Sequence, residues 1–191
     1  MNLQTKFENP TRLQELMPRE TLLKIGLHNG QIVCDIGAGS GIFTIPAASI
    51  TENTVFALEI NDELITVITE KAKSRSLSNV QVTRVQGNKF PLQTSSVDLA
   101  LLVTVFHEIV DKNEFLHEVS RILNDHGKVA VIEFHKRITP MGPPLQHRIS
   151  QDDLQVHFAE SGLYLRDSFE LGPNFYCSVF DQIKDSRDAK L

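Results

Sequence analysis

The chain has 191 residues, of which 41% are hydrophobic and 23% charged, with 19 basic and 24 acidic side chains and a net charge of −5. That length predicts a single domain over residues 1–191 with a core that needs no covalent staple, and the composition excludes disorder and disfavours a nucleic-acid partner. The longest apolar stretch, Val97–Phe106, is too short to span a membrane and contains Asp98, while Met1–Pro10 is polar and has no apolar signal core; Cys34 and Cys177 lie in strand-like runs and read as buried thiols of a cytoplasmic protein.

Residues 1–29 are expected to form a helical cap segment, with Phe7–Leu16 as a short helix or flap. Pro18 opens a helix carrying Leu22, Leu23 and Ile25, and Gly26 stands near its end. After the Asn29-Gly30 turn, Gln31–Ile36 predicts a first strand, the glycine cluster Gly37–Gly41 a turn, and Ile42–Ile50 a helix. Val55–Glu59 predicts a second strand. Asn61 caps a helix reaching about Arg75, with Asp62 and Glu63 in its positive first turn. Val80, Val82 and Val85 alternate as a third strand, and Gln86–Ser96 is a polar loop. Val97–Val103 is an almost continuous apolar run, the pattern of a strand covered on both faces. Asp111 and Glu114 resemble a capping box before a helix bearing Phe115, Leu116, Val119, Ile122 and Leu123, which Asp125–Gly127 is expected to break. Lys128–Phe134 predicts the fifth strand, Arg137–Arg148 a proline-stiffened loop, and Ser150–Glu160 a capped helix. Leu163–Leu171 and Phe175–Ile183 predict two last strands joined at Gly172-Pro173-Asn174, before a polar tail, 184–191.

Strands and helices in strict alternation require right-handed crossovers and a parallel sheet between helical layers. The expected fold is a three-layer α/β/α Rossmann-like domain with a mainly parallel seven-stranded sheet and a C-terminal antiparallel hairpin. Ligands of such sheets bind at the carboxyl ends of the strands, so the loops there are the ones to inspect. The first carries Asp35-Ile36-Gly37-Ala38-Gly39-Ser40-Gly41. Glycines there permit a tight turn and close approach of a ligand to backbone amides. A dinucleotide cradle would need Gly-x-Gly-x-x-Gly, and Ile42 occupies the third glycine position. Glu59, at the end of the second strand, is placed to accept both hydroxyls of a ribose.

On these residues the chain resembles the class I S-adenosylmethionine-dependent methyltransferases, and within them the small type-11 group, whose fourth-strand motif is similar to Val97–Ile109. The likeness runs from about Gly30 to Phe180. It implies S-adenosyl-L-methionine as cofactor, with Asp35, Gly37, Ala38, Gly39 and Gly41 at its methionine end and Glu59 at its ribose. It further implies cofactor contacts from Ile60, Asn88, Lys89 and Val103. Asn88 stands where relatives usually carry an acid for the adenine amine; its carbonyl can still accept.

The implied activity is in-line methyl transfer to a small-molecule acceptor, which demands positioning and, for an acceptor bearing a proton, a base. His107 and Glu108, after the fourth strand, are the candidate catalytic residues; Glu133-Phe134-His135 after the fifth is a second candidate group. The same residues also read as a backbone-bonded histidine with a capping or salt-bridging acid. No metal is expected, because His107, His135 and His147 lack local ligand spacing. The loop Thr139–Arg148, with apolar Met141 and Leu145, reads equally as a substrate lid or a rigid connector. Two other classes stay open: a nicotinamide-dependent oxidoreductase, and a non-catalytic S-adenosylmethionine-binding module. The sequence is silent on the acceptor and on oligomeric state.

Overall fold

The structure, a computed structural model, describes residues 4 and 7–182. Helices α1 (Pro10–Leu16) and α2 (Pro18–Ile25) precede β1 (Val33–Ile36), α3 (Thr44–Ala48), β2 (Val55–Glu59), α4 (Asp62–Ser74), β3 (Val80–Arg84) and β4 (Val97–Val103). Then follow α5 (Lys112–Ile122), β5 (Leu123–Phe134), α6 (Gln151–Glu160), β6 (Tyr164–Leu171) and β7 (Phe175–Asp181). Short 3-10 turns occupy Phe106–Glu108 and Leu145–His147. The expected strand end at Ile183 and the tail 184–191 lie outside the described residues.

The strands form one seven-stranded sheet in the order β3-β2-β1-β4-β5-β7-β6. β1 through β5 pair in parallel, and β7 runs antiparallel to both β5 and β6. Strand order reverses between β1 and β4, which puts the ligand crevice at their carboxyl ends. The central strands alternate between two cores, as the two-residue strand period requires. Val33, Leu99, Leu101, Ala130 and Ile132 pack on the side of α2 and α3. Cys34, Ala100, Leu102, Val129 and Val131 pack against Phe115, Leu116 and Val119 of α5 and Leu154 and Phe158 of α6.

Several boundaries differ from the sequence reading, and three of the differences have a visible cause. The first strand starts at Val33, because the Ile32 amide is drawn to the Asp98 carboxylate at 2.6 Å. The helix after the glycine turn is confined to Thr44–Ala48, with Pro46 inside its first turn, where a missing N–H costs nothing. Asp125–Gly127 does not break the chain before β5: strand begins at Leu123, paired with Val97, and the register shifts before Leu99 meets Lys128. Asn124 anchors that irregularity by donating to Asp98 at 2.6 Å, and Gly127 fits because a Cβ there would lie 2.9 Å from the Val97 carbonyl oxygen.

Candidate active site

The turn after β1 is built from residues that take left-handed backbone at low cost: φ is 71° at Gly37 and 57° at Gly39. A Cβ on Gly37 would lie 2.6 Å from a Val105 methyl, so this turn is pressed against the loop leaving β4. The Gly37 and Ala38 amides donate to the Leu58 carbonyl at 2.8 and 3.0 Å. Glu59, buried at the end of β2, accepts from the Gly39 amide at 2.7 Å with one oxygen and from the Ile60 and Asn61 amides at 2.8 and 3.0 Å with the other. A carboxylate has about four acceptor positions, so only one remains open. The expectation that Glu59 takes both ribose hydroxyls therefore meets a carboxylate already committed to the glycine turn; a second hydroxyl needs the Gly39 amide to let go.

Asp35 is fully buried, and its carboxylate accepts from the Thr44 hydroxyl at 2.6 Å. Burial pushes its pKa up to about 6 against that hydrogen bond, and the charge of Glu59 pushes the same way. Asp35, Gly37, Ala38, Gly39 and Val103 line a narrow hollow that Phe7 and Arg12 cover. Gly41 closes the turn against Ile68 of α4.

Arg12 belongs to this site, and sequence reasoning did not find it. It is 8% exposed, with its guanidinium over the rings of Phe134 and Phe175. One nitrogen donates to the Thr104 hydroxyl at 2.9 Å, and Nε has no partner among the described residues. Burial lowers its pKa to about 10, opposed by the charge of Glu133. A buried cation with an unfilled donor is costly unless an anion arrives.

On the other side of the β4 exit, the structure joins two groups that the sequence offered separately. His107 Nδ1 sits 2.8 and 3.0 Å from the two oxygens of Glu133, and the His107 amide donates to the same carboxylate at 3.1 Å. Glu133 is 1% exposed. Burial lowers the His107 pKa, but the hydrogen bond and charge of Glu133 outweigh it and the net shift is upward. With Nδ1 donating to Glu133, Nε2 carries the free lone pair. Glu108 lies 3.8 Å from that Nε2, with its side chain largely exposed. His135 points elsewhere, paired with Glu170 at 2.6 Å.

The adenine-end candidates are less assembled. Asn88 donates its amide to Glu114 of α5 at 3.0 Å, Lys89 stands 3.8 Å from Glu118, and Ile60 is 66% exposed. Asn88 and Lys89 both approach carboxylates of α5.

The loop read as lid or connector is organised around one side chain. Arg148 is buried and donates to the carbonyls of Pro143, His135, Arg137 and Met141 at 2.8–3.0 Å and to the Thr139 hydroxyl at 2.6 Å. Every acceptor is neutral. The loop is wound on this guanidinium, and with His107 and α6 its end borders an open cavity of about 500 Å³.

Residues 27–180 match a family described as methyltransferase domain. A SAM-dependent methyltransferase from Aquifex aeolicus superimposes with a TM-score of 0.87 at 25% identity, over 94% of this chain and 98% of that one. The Ubiquinone/menaquinone biosynthesis C-methyltransferase UbiE of Marinomonas sp. (strain MWYL1) is 23% identical over 171 residues, 85% of this chain and 68% of the relative. Its counterpart in Ectopseudomonas mendocina (strain ymp) is 26% identical over 171 residues, 85% and 67%. A glycine turn with an acid behind it and a buried arginine whose Nε has no partner among the described residues suit the ribose and amino-acid ends of S-adenosylmethionine. The chain belongs to the methyltransferase-domain family, as an S-adenosylmethionine-dependent enzyme of Rossmann-like fold.

Proposed function

We propose that this single-domain enzyme methylates a small-molecule acceptor held at the ends of β4 and β5, with His107 as the base and Glu133 as its positioning partner. The observation that carries this reading is the buried His107–Glu133 pair at the exit of β4, next to the loop whose Val105 packs on the glycine turn. S-adenosylmethionine supplies a methyl group already activated on a sulfonium, so the chain's task is alignment and removal of one proton. Asp35, the turn Gly37–Gly41 and Val103 hold the methionine end, Arg12 faces its carboxylate, and Glu59 accepts from the ribose. Ile60, Asn88 and Lys89 border the adenine end.

Glu133 fixes the imidazole so that Nε2 takes the acceptor's proton, and its negative charge stabilises the imidazolium that results. Since the curated relatives are named as C-methyltransferases of ubiquinone and menaquinone biosynthesis, an electron-rich ring is the acceptor type to try first. Removing a phenolic proton makes the adjoining ring carbon nucleophilic, which is work His107 can do. The free, buried thiols Cys34 and Cys177 fit a reducing cytoplasm. No described helix is long and apolar enough to cross a membrane.

Calorimetry with S-adenosylhomocysteine tests the cofactor assignment, and its failure to bind overturns the reading. Carbon-13 NMR of the product formed from methyl-labelled cofactor and a hydroquinone or naphthol then separates carbon from oxygen transfer.

A further inference from the structure

The cavity beside His107 has a charge that the composition of the chain does not foreshadow. It is lined by His107, Lys112, Lys136, His147, Arg148 and His157, with Asp153 as the acid among its lining residues, in a chain of net charge −5. Lys136 is paired with Asp153 at 2.9 Å. The other two permanent cations are held by neutral groups. Lys112 donates to the Ile109 carbonyl at 2.7 Å and lies over the Phe106 ring at 5.4 Å. Arg148 donates only to carbonyls and a hydroxyl. Glu133 offsets His107 from behind the wall, but carbonyl dipoles only satisfy the donors of Lys112 and Arg148 and leave their charge standing toward the open cavity. The exposed carboxylate of Glu108 approaches His107 from outside the lining.

The volume of about 500 Å³ falls in the range of small-molecule sites. Its position fits the acceptor: His107 follows β4, Lys136 follows β5, and α6 closes the far wall at Asp153 and His157. We propose that this cavity is the acceptor pocket and that it selects an acceptor carrying an anionic group, a carboxylate or a phosphate, anchored by Lys112 and Lys136. The proposal rests on the methyltransferase reading and extends it, because neither the fold nor the relatives' names specify an anion. Binding of the anionic group displaces Asp153 from Lys136 or adds to it, and holds the reacting end of the acceptor toward His107.

The test titrates the 191-residue chain, saturated with S-adenosylhomocysteine, with benzoate, inorganic phosphate and the neutral isostere benzamide, following backbone and histidine signals by NMR. Benzoate or phosphate is expected to bind saturably, shifting His147 and His157 signals, and to bind about tenfold or more tighter than benzamide, the worth of one charge-assisted hydrogen bond. Whichever of the two anions binds tighter distinguishes a carboxylate from a phosphate anchor. The double variant Lys112→Met with Lys136→Met should lose about tenfold or more in anion affinity while S-adenosylhomocysteine binds as in the wild type. Equal binding of benzoate and benzamide, no saturable shift with either anion, or full anion affinity in the double variant overturns the proposal. Absence of S-adenosylhomocysteine binding in the wild type overturns the methyltransferase reading instead, and anion binding in that sample would still establish the pocket's selectivity.

Discussion

The two sides of the β4 exit are built in opposite ways. On the glycine-turn side the hollow under Phe7 and Arg12 is only about 20 Å³, room for about one water. Its acid, Glu59, already accepts from three backbone amides of its own neighbourhood. Binding the cofactor there, as proposed, requires Phe7 and Arg12 to give way. On the acceptor side a cavity of about 500 Å³ stands open, and its charges sit at the tips of side chains drawn from α5, the loop after β5 and α6. The difference teaches that the proposed cofactor side is shaped largely by main chain, whereas the proposed acceptor side is shaped by side chains on separate elements.

The sharpest way to break that division is His107→Ala. Loss of the base should lower kcat by roughly 10²–10⁴, while S-adenosylhomocysteine affinity stays at the wild-type level. Parallel loss of both would mean that the two sides are one unit. The pH profile sharpens the point. The His107 pKa is raised above its ordinary 6.5, so the base is protonated, and kcat falls, as pH drops through a value above 6.5. Glu133→Gln removes the charge that holds it up and should move that limb to lower pH. An unmoved limb would assign it to another group.

On the cofactor side, Glu59→Ala should weaken S-adenosylhomocysteine by about 1.5–3 kcal/mol, the worth of hydrogen bonds to a charged group, with kcat at saturating cofactor nearly unchanged. Calorimetry measures the first and steady-state kinetics the second. Arg12→Met addresses one end of the ligand only. S-adenosylhomocysteine, which carries the amino-acid carboxylate, should bind roughly 10–100-fold more weakly. Methylthioadenosine, which lacks it, should bind as before. Equal weakening of both ligands would mark Arg12 as a packing residue of α1.

How much of this was legible in the sequence follows the same divide. The glycine turn and Glu59 could be read because a backbone site needs residues that permit unusual φ and an acid at a strand end, and both leave marks within a short stretch. The sheet could be read from alternating elements and from the unbroken apolar run of β4. Arg148 could not, since four of its five partners are carbonyls, which every residue carries and no spacing reveals. Arg12 was hidden for a related reason: α1 reaches Thr104 across 92 residues of chain. The start of β5 was misread because Asp125–Gly127 has the composition of a breaker, whereas Asp98, far away in sequence, ties Asn124 into the sheet. His107 and Glu133 were each visible, but only their register at the ends of β4 and β5 joins them.

The smallest expected effect concerns the buried acid of the cofactor side, Asp35. Asp35 has a folded pKa of about 6 against an ordinary 3.8. A carboxyl whose pKa is raised by folding adds stability that is fully present below about pH 4 and is lost as pH rises through about 6. Wild-type stability should therefore carry a downward component across that window, with a ceiling of about 3 kcal/mol. Asp35→Asn keeps an oxygen to accept from Thr44 and cannot ionise, so that component should vanish. The gain at pH 8 should be only about 1 kcal/mol, because the new amide NH₂ is left in a buried site without an acceptor. Urea midpoints for both proteins at pH 5 and pH 8 measure the difference of differences, in which all other titrating groups cancel. If the two proteins lose stability in parallel between those pH values, Asp35 is ionised throughout. The charge of Asp35 would then belong to the cofactor site rather than to its packing.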